Sequence, residues 1–320
     1  MEGLALYRHP ACLGHEPGAH HAERPARLAA IYAALEREWP DIDWLEAPAA
    51  AREQLLRVHE PELVALVLDT PVPPGTPAHA IDPDTFLGPG SAAAAVHAAG
   101  AGVAAVDAAL QGGANRAFCA VRPPGHHATR AIPMGFCLLN NIAVAAAHAC
   151  QAHGLARVAI IDFDVHHGNG TQDIFRADPK VMYLSTHQSP LYPDTGDSSE
   201  RGVGNILNRP LPPGSGSDAF RSAWRDHLLP ALAAFRPQLV LVSAGFDGHR
   251  RDPLAQMELE AADFAWITRE LMAVADRHAG GRLVSMLEGG YDLDALAEAC
   301  VAHVDALRGS RTADSAIAAT

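Results

Sequence analysis

The chain of 320 residues carries 24 Lys and Arg against 37 Asp and Glu, a formal net charge of −13, with 18 histidines beside only 5 cysteines. So acidic a chain is a poor sequence-independent ligand for nucleic acid, which is bound by neutralising phosphates, while cationic substrates and simple solubility both suit it. No stretch approaches 18 consecutive apolar residues free of charge, and Met1–His9 lacks the basic start and apolar core of a secretory signal, so neither a membrane span nor export is expected.

Short apolar runs at Leu4–Tyr7, Ala117–Val121, Val158–Phe163, Val181–Ser185, Leu239–Ala244 and Leu283–Leu287 read as strands buried on both faces. Between them, Pro25–Trp39, Ala92–Leu110, Asn141–His153, Asp218–Phe235, Leu259–His278 and Asp294–Leu307 have helical spacing. Alternation of the two predicts a three-layer α/β domain around a mostly parallel sheet. Thr70–Asp84 and His187–Ser217 read as long irregular loops, and the stretch after Arg308 as a fraying tail, which leaves residues 1–308 as one domain. Cys12, Cys119, Cys137, Cys150 and Cys300 are odd in number, scattered, and without CxxC spacing. That pattern argues against disulfides and a thiolate metal site, and the expected location is cytoplasmic.

In an open α/β sheet, ligands collect beyond the carboxyl ends of the strands, and four of these runs end in polar clusters. They are Arg122-Pro-Pro-Gly-His126-His127, Asp162-Phe-Asp164-Val-His166-His167-Gly-Asn169, Ser243-Ala-Gly-Phe-Asp247 and Glu288-Gly-Gly-Tyr291. Asp164 and His166, two apart in extended backbone, point to the same side. With Asp247 they make two carboxylates and one imidazole, a three-ligand set suited to hydrolytic zinc, although ferrous iron takes the same donors. His126 and His127 can serve as base towards water and acid towards a leaving amine. Asp162 and Asn169 are natural orienting partners for them, and Tyr291 can donate its hydroxyl to a developing oxyanion.

The segments RPPGHHA (Arg122–Ala128), GFCLLNN (Gly135–Asn141), DFDVHHGNGTQ (Asp162–Gln172), SAGFDGHRRDPL (Ser243–Leu254) and EGGY (Glu288–Tyr291) strongly resemble the histone-deacetylase family, in particular its class II-like bacterial amidohydrolases. The resemblance runs from about His9 to about Leu307. It implies the arginase–deacetylase fold, a parallel sheet of about eight strands flanked by helices. It also implies zinc at Asp164, His166 and Asp247, an acid–base pair at His126 and His127, Tyr291 as carbonyl polariser, and potassium at Asp162 and Ser185. Asn169 fits the class II pattern. Phe136 and Tyr192 match the walls of a substrate tunnel, Gly135 the carbonyl that accepts the substrate amide proton, and Arg27 an arginine below the metal.

This sequence departs from the family at three places. Tyr192 stands where phenylalanine is usual. Leu254 stands where relatives selective for acetylpolyamines carry glutamate. Asp84 falls near the rim position, where a loop-capping carboxylate is an equal reading. Arginases share the fold, but the carboxylates for their second metal are replaced here by Gly168 and His249. The expected activity is metal-dependent hydrolysis of acyl-lysine, with acetylpolyamines or other small acylated amines as the alternative, and oligomers are possible. A non-catalytic binding module would have lost one of the six central residues, and none is missing.

Overall fold

In the computed structural model, residues 3–18 and 20–309 are described; the expected tail lies, from residue 310, outside them. Among the described residues ten strands run β1 Leu4–Arg8, β2 Trp44–Glu46, β3 His79–Ala80, β4 Phe86–Leu87, β5 Arg116–Cys119, β6 Val158–Asp162, β7 Val181–Gln188, β8 Ile206–Leu211, β9 Leu239–Ala244 and β10 Leu283–Leu287. The helices are α1 Ala26–Glu38, α2 Arg52–Leu55, α3 Pro61–Asp69, α4 Ser91–Leu110, α5 Asn141–Ala152, α6 Asn169–Phe175, α7 Ser217–Ala223, α8 Leu229–Phe235, α9 Ala261–His278 and α10 Leu293–Arg308.

Eight strands form one sheet in the order β2-β1-β5-β10-β9-β6-β7-β8, and every pairing is parallel. β3 and β4 pair separately as a short antiparallel ribbon. Helices α4 and α5 cover one face of the sheet and α1, α9 and α10 the other, the three-layer arrangement expected. The central strands are apolar without alternation because both faces are covered: β6, β9 and β10 are buried along their whole length.

The six predicted strands and six predicted helices all form, with differences that have physical causes. His187–Ser217 is not wholly irregular, since it contains the end of β7 and the edge strand β8. The alternating burial and Pro210 of β8 leave no continuous apolar run to read. Likewise Thr70–Asp84 contains β3. The helix expected over Asp218–Phe235 is divided by a wider π turn at Trp224–Leu228. Pro230 has no N–H for the α-helical bond to Asp226, which accounts for the widening there.

Among the described residues one helix, α4, is long and apolar enough to cross a membrane by length and composition. The sequence rule passed over it because His97 and Asp107 interrupt the run. It is mostly buried inside the fold, against α5, β5 and β10.

Close packing of α4 depends on a missing side chain. A Cβ at Gly100 would stand 1.9 Å from the Pro48 carbonyl oxygen and 2.7 Å from the Ala50 nitrogen. Gly100→Ala therefore forces the helix off the 48–50 segment. The expected cost is about 1–3 kcal/mol, read as a lower midpoint in urea denaturation; an unchanged midpoint would contradict the packing.

Candidate active site

The four polar clusters follow β5, β10, β9 and β6, which are consecutive neighbours in the middle of the sheet. Their carboxyl ends therefore open onto one place. Asp164, His166 and Asp247 meet there, with one donor atom from each inside a 4.8 Å group and all three buried. Nδ1 of His166 lies 3.1 Å from Asp164 Oδ1 and 3.2 Å from Asp247 Oδ2.

This convergence does not come from strand alternation, as the spacing suggested. β6 ends at Asp162, and residues 164–166 form a bend in which the His166 N–H donates to Asp164 Oδ1 at 2.9 Å. Backbone amides hold the other oxygens: Gly289 donates to Asp164 Oδ2 (2.8 Å) and Val165 to Asp247 Oδ1 (3.0 Å). The approach of Gly289 is so close that a Cβ would lie 1.9 Å from Asp247 Oδ2. Two buried carboxylates and one imidazole nitrogen, oriented by other hydrogen bonds, fit a divalent ion that takes nitrogen and oxygen ligands.

His126 and His127 lie beside this group with ring centroids 4.0 Å apart and planes tilted by 44°. Nδ1 of His126 pairs with Asp162 Oδ2 at 3.0 Å, and Nδ1 of His127 with Asn169 Oδ1 at 2.8 Å, the partners expected. Tyr183 also donates to Asp162 Oδ2 (3.0 Å), and Glu288 accepts from the Gly125 N–H (2.6 Å), the His126 N–H (3.2 Å) and the Ser243 hydroxyl (3.0 Å). Before any metal charge is added, the two imidazoles are pushed apart in acidity. For His126, burial disfavours the charged form but Asp162 and Asp164 outweigh it, to about 10. For His127, burial and the charges of His126 and His166 push the value well below the ordinary one. Adjacent groups with separated affinities for a proton are what acid–base division requires.

A cavity of about 230 Å³ leads to these residues, lined by Asp84, His127, Gly135, Phe136, His166, Leu191, Tyr192, Leu254 and Tyr291. All five rim and wall residues named from the resemblance are among them, and Leu191 is added. The Tyr192 ring stands edge-on to His127 at 5.2 Å, and Phe136 edge-on to Tyr291 at 5.8 Å. Gly135 has φ +56°, and a Cβ there would strike the His127 ring at 2.6 Å. Asp82 caps the 82–85 loop, accepting from the Asp84 and Thr85 amides (2.9 and 2.6 Å), while Asp84 lines the cavity. Thr85 then links rim to wall, donating to Asp84 Oδ1 (3.1 Å) and accepting from the Phe136 N–H (3.1 Å).

The Tyr291 hydroxyl is held well above its ordinary pKa by burial, against the lowering influence of Arg27, and so stays a donor. Arg27, below the site as expected, lies 4.8 Å from the Tyr291 ring centroid and donates to the Gly290 carbonyl at 2.6 Å. Arg27 and Arg122 both meet buried Glu23, at 3.3 and 2.5 Å. Asp162 and Ser185, the potassium candidates, are register partners on β6 and β7. Asp162 Oδ1 receives the Asp164 amide (3.1 Å), and Ser185 Oγ is 2.9 Å from His187 Nδ1.

Asp107, His148 and His153 form a second convergent group, which no motif in the sequence marks. Both Nε2 atoms lie 2.8 and 2.6 Å from Asp107 Oδ1, and Arg57 donates to His148 Nδ1 at 2.9 Å. With Nδ1 accepting, His148 carries its proton on Nε2 towards Asp107. This is a hydrogen-bonded clamp between α4 and the end of α5. The missed side chains around the main site are Leu191, Tyr183, Thr85 and Glu23; Thr85 follows Asp84 and Glu23 precedes Arg27 by four residues, but the sequence alone assigns neither a role.

The pattern of the Histone deacetylase domain matches residues 10–307. The Histone deacetylase-like amidohydrolase of Pseudomonas aeruginosa is 40% identical over 310 residues, covering 95% of this chain and 80% of the relative. Polyamine deacetylase HDAC10 of Homo sapiens is 40% identical over 302 residues, covering 90% of this chain and 44% of that longer protein. Among solved structures, the HDA15 HD domain superposes with a TM-score of 0.90 at 36% identity, over 97% of this chain and 89% of that one. Fold and relatives together define a hydrolytic deacetylase class. The chain belongs to the histone deacetylase family.

Glu23 offers a test of the framework under Tyr291. Burial would raise its carboxyl, but Arg122, His15 and Arg27 outweigh that and lower it from 4.5 to about 2. A depressed carboxylate contributes stability above its unfolded value, and that contribution disappears as pH falls through 4.5 towards 2. Glu23→Gln leaves two buried guanidinium groups uncompensated, an expected loss of about 3–5 kcal/mol. Denaturation at pH 7 and pH 3 should show the gap between wild type and variant narrowing in acid; an equal gap at both would refute the assignment.

Proposed function

We propose that this protein is a zinc-dependent amidohydrolase that removes acyl groups from amines, acyl-lysine side chains first among them. The observation that carries the reading is the meeting of the Asp164–His166–Asp247 group with two oriented histidines on a narrow, partly aromatic cavity. Zinc held by those three residues would supply Lewis acidity towards the acyl carbonyl and the attacking water. Phe136 and Tyr192 wall the stem of the substrate, and the Gly135 carbonyl accepts its amide proton. Asp84 and Leu254 meet the substrate nearer the mouth. His127, the less basic imidazole, takes the proton of the water; His126, charged against Asp162, stands beside it as proton donor. Tyr291 donates its hydroxyl to the carbonyl oxygen as negative charge develops there. Water adds to the acyl carbon, the C–N bond breaks, and the amine leaves with a proton from the histidine pair.

Potassium is assigned to Asp162 and Ser185 in a structural role, and residues 1–308 to one catalytic domain. Five free cysteines support a reducing compartment, the cytoplasm. Small acylated amines are the second reading, favoured by the human relative named a polyamine deacetylase and weakened by Leu254 in place of a carboxylate.

Asp247→Ala should lose both bound metal and hydrolysis of an acetyl-lysine reporter. Tyr291→Phe should keep its metal, and its kcat should fall about 10²–10³-fold. Near wild-type turnover in either variant would overturn the corresponding role. Assayed side by side, an acetyl-lysine peptide should exceed acetylspermidine in kcat/KM by at least about tenfold; the reverse preference would replace the first reading with the second.

A further inference from the structure

We propose that Asp252 is a positioning residue for Tyr291, fixing the oxyanion donor at a set distance from the Leu254 side of the cavity; the proposal rests on the deacetylase reading above. Asp252 is only 6% exposed, and its carboxylate joins two separate segments of chain. Oδ1 accepts the Leu254 N–H at 3.0 Å. Oδ2 accepts the Tyr291 N–H at 2.6 Å and the Asp292 N–H at 3.3 Å. The residue is itself held by its own N–H, which donates to the His249 carbonyl at 2.8 Å.

Leu254 and Tyr291 both line the cavity, so one side chain sets the spacing between a wall residue and the hydroxyl donor. The need for such a fastener is local. Tyr291 follows Gly289 and Gly290, the latter at φ +123°, so the chain before it has little stiffness of its own. The helix after it starts only at Leu293, with Asp292 as its cap. Arg27 grips the ring face and the Gly290 carbonyl, and Asp252 grips the amides of Tyr291 and Asp292.

The chemistry of the contact requires a carboxylate. Burial and the neighbouring charge of Asp247 push the Asp252 carboxyl up to about 7, against the three N–H groups that arrive on its two oxygens and favour the ionised form, an acceptor at both. An asparagine of the same size must turn its NH₂ towards at least one of those donors. It then loses a bond and places two donors face to face. Tyr291 would keep its place in the chain, but its hydroxyl would sample positions away from the carbonyl oxygen, where a misplacement of about 1 Å costs about a hundredfold.

The test is a double-mutant cycle on the full chain loaded with zinc. Asp252→Asn should lower kcat on the acetyl-lysine reporter about 10–100-fold with KM changed less than about threefold and metal content unchanged, the size expected of misplacing one donor. In a Tyr291→Phe background the same substitution should cost less than about twofold, because its effect passes through the missing hydroxyl. Amide exchange at Tyr291 should also quicken at least about tenfold in Asp252→Asn. If Asp252→Asn does not fold, Asp252→Ser, which keeps one acceptor and adds no opposing NH₂, goes through the same cycle. An undiminished cost in the Tyr291→Phe background, or unchanged exchange at Tyr291, would overturn the proposal. Failure of the wild type to hydrolyse the reporter would instead overturn the deacetylase reading.

Discussion

Two carboxylates without solvent, Asp164 and Asp247, share one small space at the centre of this molecule. Neither can be accommodated as a bare charge in a low-dielectric interior unless dipoles or cations surround it. The surrounding residues answer that constraint. Amides of Val165, His166 and Gly289 point at the carboxylates, and His126 and His166 face them with ring nitrogens. Glycines at 245 and 289 are required there, since a Cβ on either would approach an acid oxygen to about 2 Å. A cation held between them would complete the same electrostatic balance. In this sense the metal group explains the glycine pattern as much as it explains the chemistry.

A second layer of charge lies below. Glu23 binds Arg122 and Arg27, and Arg27 reaches the Gly290 carbonyl and the face of Tyr291. Buried ion pairs contribute little net stability when complete and cost much when broken. Their use here is geometric: planar guanidinium groups with several fixed donors tie loops from β5 and β10 to the segment before α1. Tyr291 and the loop that carries His126 and His127 thus rest on a charged floor.

Much of the arrangement was legible in the sequence. Continuous apolar runs marked the six strands buried on both faces, and the polar residues that end four of them marked the site. The edge strands β2 and β8 were not legible, because a half-exposed strand carries no continuous run, and Pro210 argues against one. The convergence of Asp164 and His166 was anticipated for the wrong reason: a bend closed by a side chain–amide bond brings them together, and no periodicity encodes that bend. The rim and wall residues came from resemblance alone, and the cavity contains all five. Glu23, Thr85 and Leu191 gave no signal, because their importance lies in what distant parts of the chain bring to them.

The all-parallel sheet has a consequence of another kind. Every strand enters from the same side, so the molecule has two rims with unequal obligations. Loops leaving the strands hold the ligands, the histidines and the cavity walls, and a shift of a fraction of an ångström there reaches the reacting bond. Loops entering the strands have only to return the chain across the layer of helices. Insertions, deletions and grafted segments can accumulate on that entering rim at little cost. On the departing rim, the residues that line the site have no such freedom.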